Sequence, residues 1–273
     1  MKNLLLISNI SADNKHLVEY AAHFCKHYNC KLHFLHIAEN NLPVLVSSPY
    51  YYKEFNIQYE KSQVANILKK VSDATTDIIE SELVHVTIQK GNQDLILKKF
   101  VNANFIDMIM LGNVDLERDS DFKEHRNILM NVIDTPLIIV PEFMKFKPFK
   151  KLNFLTRYTE KDIEHIIRLS VLFNKCKIKV SHAAGNDTTP GTKADNWLSY
   201  LTSKVPGRIE HQVIEEDIDD YIRRKSFAVH KFNDAFVFTS YKRNFWTRLL
   251  DPSTTLSYLS TMEVPSIVFK IER

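Results

Sequence analysis

The chain has 273 residues, of which 44% are hydrophobic and 25% charged; its net charge is +3 and it has three cysteines. These values fit about two soluble globular domains with apolar cores. They exclude a disulfide framework, and no apolar run approaches the ~20 residues of a membrane-spanning helix. The run Leu4–Ile7 is too short for a signal-peptide core, so a soluble cytoplasmic protein is expected.

The first half opens with Leu4-Leu5-Leu6-Ile7, a run suited to a buried parallel strand. The turn Ser8–Ser11 follows, then Leu17, Tyr20, Ala21, Phe24 and Cys25 at helical spacing. Leu32, Phe34 and Leu35 begin a second strand that ends near Ile37. A polar and aromatic connection over 38–53 leads to a helix with Val64, Ile67, Leu68 and Val71 on one face. Val84, Val86 and Ile88 alternate as a strand, and Leu95, Ile96 and Val101 mark a short helix. Ile106–Leu111 is the fourth strand, Ile128, Leu129 and Val132 lie on the fourth helix, and Pro136 opens the strand Leu137–Val140.

The second half repeats the order. Its strands are predicted at Leu152–Leu155, Ile178–Val180, Ile209–Ile214, Ala235–Phe238 and Ile267–Phe269. Between them lie helices marked by Ile163, Ile166, Ile167 and Val171, by Trp197, Leu198 and Leu201, by Ile218, Ile222 and Val229, and by Leu256, Leu259 and Met262. Alternating strands and helices predict parallel sheets with right-handed crossovers. The fold class is therefore α/β, two tandem Rossmann-like domains of five parallel strands each. Their expected bounds are 1–144 and 150–273, with a basic linker carrying Lys145, Lys147, Lys150 and Lys151.

Charge divides unevenly, −4 over residues 1–144 and +7 over residues 145–273. Glycine is scarce, with five in the chain where usual usage would give about 19. Loops that cradle phosphate need glycine, because backbone N–H groups must approach the anion closely. The chain has neither G-x-G-x-x-G nor G-x-x-x-x-G-K-[ST], which argues against an ordinary nucleotide-dependent enzyme.

The turns after strands one and four of each half, with the Pro-led closing strand, resemble the universal stress protein family. The resemblance covers nearly the whole chain, once per half, and rests on order and spacing more than on signature residues. It implies the adenine nucleotide alpha hydrolase-like form of the Rossmann-like domain. In the family, strand one runs into a Pro-Thr-Asp-Phe-Ser-like turn, and strand four into G-x-x-G-x9-G-[ST], a loop that wraps ATP. The family's three glycines fall on Thr239, Lys242 and Pro252, and its Ser/Thr on Ser253. In the first half, Gly112 keeps the first glycine, while Asp115 takes the second position and Lys123 or His125 the third. The aspartate that contacts the nucleobase falls on Asn9 and Arg157. Asn9, Gly112 and Ser253 are thus the residue of a cofactor site. Side chains at the glycine positions, a proline lacking an N–H, and a carboxylate at 115 disfavour ATP.

Arg157, Lys242, Arg243 and Arg248 form a second candidate, a cleft for a phosphate or carboxylate held by side-chain charge. Its competing reading is a solvated basic loop. Pro49-Tyr50-Tyr51-Tyr52 reads as loop packing or an aromatic lid. His23 and His27, with Cys30, have zinc-like spacing but read better as a surface pair, and no metal is expected. Ser8, Ser11 and Ser253 have no recognisable base partner and no G-x-S-x-G elbow exists. Asp94 reads as a helix cap. Arg223-Arg224-Lys225 lacks the aromatic interleaving of a nucleic-acid site.

The expectation is a non-catalytic stress-response or regulatory protein, with no catalytic residues and no nucleic-acid partner. It is expected to bind a protein partner or small ligand. The family's dimerisation through the last strand implies an intramolecular pseudo-dimer through Leu137–Val140 and Ile267–Phe269, with a further homodimer also open. Two alternatives stand beside this reading: a nucleotide binder or weak ATPase working through the first half, and a carrier of an anionic or lipid-like ligand.

Overall fold

The structure is a computed structural model that describes residues 1–7, 15–38, 49–112, 135–142, 144–183, 191–215, 220–221, 224, 234–241 and 263–271. It divides into two compact units, Met1–Asp107 and Met108–Arg273.

The first unit runs β1 (Lys2–Ile7), α1 (Lys15–Tyr28), β2 (Cys30–Ala38), α2 (Pro49–Thr75), a 3-10 turn (Ser81–Leu83), β3 (Val84–Lys90) and α3 (Gln93–Ala103). Its strands lie in the order β3-β2-β1. All are parallel, with Leu4 opposite Leu32 and Leu32 opposite Val84. Leu4, Leu5 and Leu6 are completely buried. This is what a parallel strand covered on both faces requires, and it explains why they form a run and do not alternate. Helix α1 buries Leu17, Tyr20, Phe24 and Cys25 as its spacing predicts. Asn29 ends it in the left-handed region (φ 55°) and the chain enters β2 at the next residue; asparagine tolerates that conformation better than most side chains.

Helix α2 begins at Pro49, so the Tyr50–Tyr52 run belongs to a helix and not to a connecting loop. Proline suits a first helical position because its fixed φ is already helical and its missing N–H would have no intrahelical partner. The cap of α3 is Asn92, whose side chain accepts from the Leu95 N–H at 3.0 Å. Asp94, predicted as the cap, lies inside the first turn. Gly91 precedes the cap at φ 140°, a conformation that side-chain-bearing residues rarely adopt.

The second unit contains β4 (Met108–Gly112), β5 (Leu137–Val140), β6 (Lys151–Leu155), α4 (Glu160–Leu172), β7 (Lys177–Ala183), α5 (Thr192–Lys204), β8 (Ile209–Ile214), β9 (Asp234–Tyr241) and β10 (Ser266–Ile271). The order is β4-β5-β10-β9-β6-β7-β8. Neighbours are parallel except β5 and β10, which run antiparallel with Ile267 opposite Ile138 and Val268 opposite Leu137. These are the two closing strands singled out in the sequence. Their pairing ties β4 and β5 to the second unit, although they precede the basic segment 144–150. Arg208 braces the end of α4: its guanidinium donates to the carbonyls of Ser170 (2.8 Å), Phe173 (2.5 Å) and Cys176 (2.6 Å). A cation there complements the negative end of the helix.

No helix among the described residues is long and apolar enough to cross a membrane. The predicted helices at 128–132 and 256–262 lie outside the described residues, as does most of the one at 218–229.

Candidate functional site

Open parallel sheets bind ligands beyond the C-terminal ends of their strands. In the second unit this places the turn Thr156–Thr159 after β6, the end of β7 and the end of β9 at the site. The turn is wired to α4 through one carboxylate. Asp162 Oδ2 accepts from Thr156 Oγ1 (2.9 Å), the Arg157 N–H (3.1 Å) and the Thr159 N–H (3.2 Å). Thr159 returns the contact by accepting from the Asp162 N–H at 3.2 Å, which completes a capping box. Asp162 is 1% exposed, and a carboxylate so buried is tolerated because three donors satisfy it.

Tyr158 sits in this turn at φ 56°, the left-handed region, and is almost wholly buried. Its ring lies 4.5 Å from that of His182 at the end of β7, and meets Trp197 of α5 edge-on at 5.3 Å. Its hydroxyl is 2.8 Å from His211 Nε2 on β8. Trp197 Nε1 donates to the Thr159 carbonyl (2.8 Å), and His182 Nδ1 donates to that of Thr156 (3.2 Å). One left-handed tyrosine is thus gripped from three elements. Burial raises the Tyr158 pKa, with Asp195 adding to the effect. Burial lowers that of His211, helped by His182 and opposed by Asp195.

Thr239, where the first family glycine falls, ends the described burial of β9. Its Oγ1 lies 3.4 Å from His165 Nδ1 of α4, and the His165 ring stacks on Phe269 at 4.6 Å. The Thr239 side chain is thus anchored to the neighbouring helix. Arg157, at the nucleobase-aspartate position, has an exposed side chain and a backbone N–H held by Asp162.

Of the other predicted residues, Gly112 is buried at the C-terminal end of β4, opposite Val140. Asn9, Ser253, Lys242, Arg243 and Arg248 lie outside the described residues, as do Ser8, Ser11, Asp115 and Pro252. His23 is exposed on α1, whereas Cys30 is fully buried at the start of β2. No cluster of three or more metal-ligating side chains occurs among the described residues. Sequence reasoning missed the Tyr158–His182–Trp197–His211 cluster. Its members come from four separate elements, and only the fold brings them together.

The architecture is that of a Rossmann-like α/β protein. No family model matches the sequence, and no curated protein matches it. Solved structures do match over the full length. A universal stress protein from Archaeoglobus fulgidus DSM 4304 is 15% identical at a TM-score of 0.62, over 98% of this chain and 96% of that one. A putative universal stress protein from Pseudomonas aeruginosa UCBPP-PA14 is 10% identical at 0.52, over 99% and 93%. The cytoplasmic domain of a prokaryotic cation chloride cotransporter is 12% identical at 0.53, over 98% and 94%. The chain has the fold of a tandem universal stress protein.

Proposed function

We propose that this protein is a non-catalytic stress-response or regulatory protein of the universal stress type, in which family-type ATP binding has been lost. The supporting observation is the Thr239–His165 contact: a side chain committed to α4 stands where a nucleotide phosphate needs open backbone. Arg157 supports the same reading. A guanidinium carries only donors, so it cannot accept a hydrogen bond from a base amine as a carboxylate does. The protein then acts through a partner or small ligand bound elsewhere, and carries no catalytic residue.

Thermal unfolding with a nucleotide panel tests this. A nucleotide supplied at about 100 times its Kd stabilises the folded state by about 2.7 kcal/mol, a displacement in Tm of at least a few degrees for a chain this size. The expected result is no displacement with ATP, ADP or AMP at millimolar concentration. A clear displacement that Gly112→Val removes would transfer the function to the first-half site of Asn9 and Gly112.

A further inference from the structure

Tyr158 is held by two imidazoles on adjacent strands, His182 of β7 and His211 of β8. Their tautomers follow from their partners. The Thr156 carbonyl can only accept, so His182 carries its proton on Nδ1. With His211 neutral, its Nε2 accepts the Tyr158 hydroxyl proton across 2.8 Å, and the imidazole proton sits on Nδ1. Adding a proton to His211 converts Nε2 from acceptor to donor. The Tyr158 hydroxyl must then turn its own proton elsewhere. Among the described residues, the new charge also faces His182 and gains Asp195, in the first turn of α5, as a counter-charge.

The other two carboxylates described around the turn are committed. Asp162 of α4 is saturated by the turn's donors. Glu210, next to His211 on β8, is bonded to Lys151 (2.6 Å) and Lys177 (3.3 Å). Arg157 adds a positive charge next in sequence to Tyr158. Histidine is the side chain whose charge changes nearest neutral pH. Tyr158 itself holds a left-handed conformation that a non-glycine residue keeps only when its surroundings enforce it.

We propose that Tyr158, His182 and His211 form an acid-released latch over the ligand end of β6–β8: closed at neutral pH, and opened when protonation of His211 reverses the hydroxyl bond and sets two imidazoles against each other. The Tyr158 ring then leaves its seat beside the two imidazoles, while the backbone of the turn stays wired to Asp162. This holds whether or not nucleotide binding has been lost.

The test uses the full chain with Trp246→Phe, leaving Trp197 as the single indole reporter of the cluster. Trp197 emission is followed from pH 8 to 4.5 alongside far-UV circular dichroism. A reversible emission change is expected while the far-UV signal stays constant. His211→Gln, which keeps an acceptor for Tyr158 but cannot charge, should abolish the change. His182→Gln should move the midpoint to higher pH and Asp195→Asn to lower pH, because His182 opposes and Asp195 favours a proton on His211. A transition that survives His211→Gln, midpoints that move in the same direction, or an emission change that tracks loss of the far-UV signal would each overturn the latch.

Discussion

Acidification from pH 7.5 to 4.5 should destabilise this protein partly through one residue, His33. Its side chain is 8% exposed on β2, with Nε2 3.4 Å from Asn3 Oδ1 and its ring stacked 5.2 Å from that of His85. Burial, His85 and Lys31 together depress its pKa from 6.5 to about 4. The unfolded chain takes up a proton there near pH 6.5, while the folded chain does so only near pH 4. In that window the unfolded state binds the extra proton, so stability falls as the pH is lowered. A displacement of about 2.5 pH units at 1.36 kcal/mol each sets a ceiling of about 3.4 kcal/mol, of which about 2.5 should be lost by pH 4.5. Urea denaturation at half-unit pH steps measures it, with His33→Gln as the non-titrating comparison. The difference in stability between wild type and variant should shrink by about 2.5 kcal/mol from pH 7.5 to 4.5. Parallel pH profiles for the two proteins would refute the reasoning.

Asp162→Ala should cost about 2–4 kcal/mol by urea denaturation, because it leaves Thr156 Oγ1 and the N–H groups of Arg157 and Thr159 without their shared acceptor. Arg208→Ala should cost about 2 kcal/mol and raise amide exchange at the end of α4, whose carbonyls it braces. Gly91→Ala should lower stability by about 1–2 kcal/mol through its φ of 140°, since the nearest atom to an added Cβ, Ile96 Cδ1 at 3.5 Å, leaves room for it. A neutral result for Gly91→Ala would show that the turn relaxes to accept a side chain.

The strands were the most legible part of the fold. Unbroken runs such as Leu4–Ile7 and Leu137–Val140 have few alternatives to a doubly covered parallel sheet. The pairing of the two closing strands was implied by the family resemblance alone. The start of α2 was hidden because Pro49 and three tyrosines carry no helical period, and helix boundaries depend on context as much as on propensity. Asn92 was hidden behind Asp94, two polar residues equally suited to a cap. Arg208 and the Tyr158 cluster left no local signal. Arg208 meets carbonyls more than thirty residues away, and His211 lies 53 residues from Tyr158. The missing glycines were plain in the sequence. That Thr239 is anchored to His165 was not, because only the packing of α4 against β9 and β10 creates the contact.

The most direct test of the proposed loss of ATP binding is calorimetric titration of the nucleotide-stripped protein with Mg-ATP. Absence of heat up to millimolar ATP is the predicted result, and it directs the search to co-purifying ligands and partners. Saturable micromolar binding would contradict the account and make Asn9 and Gly112 the residues to mutate.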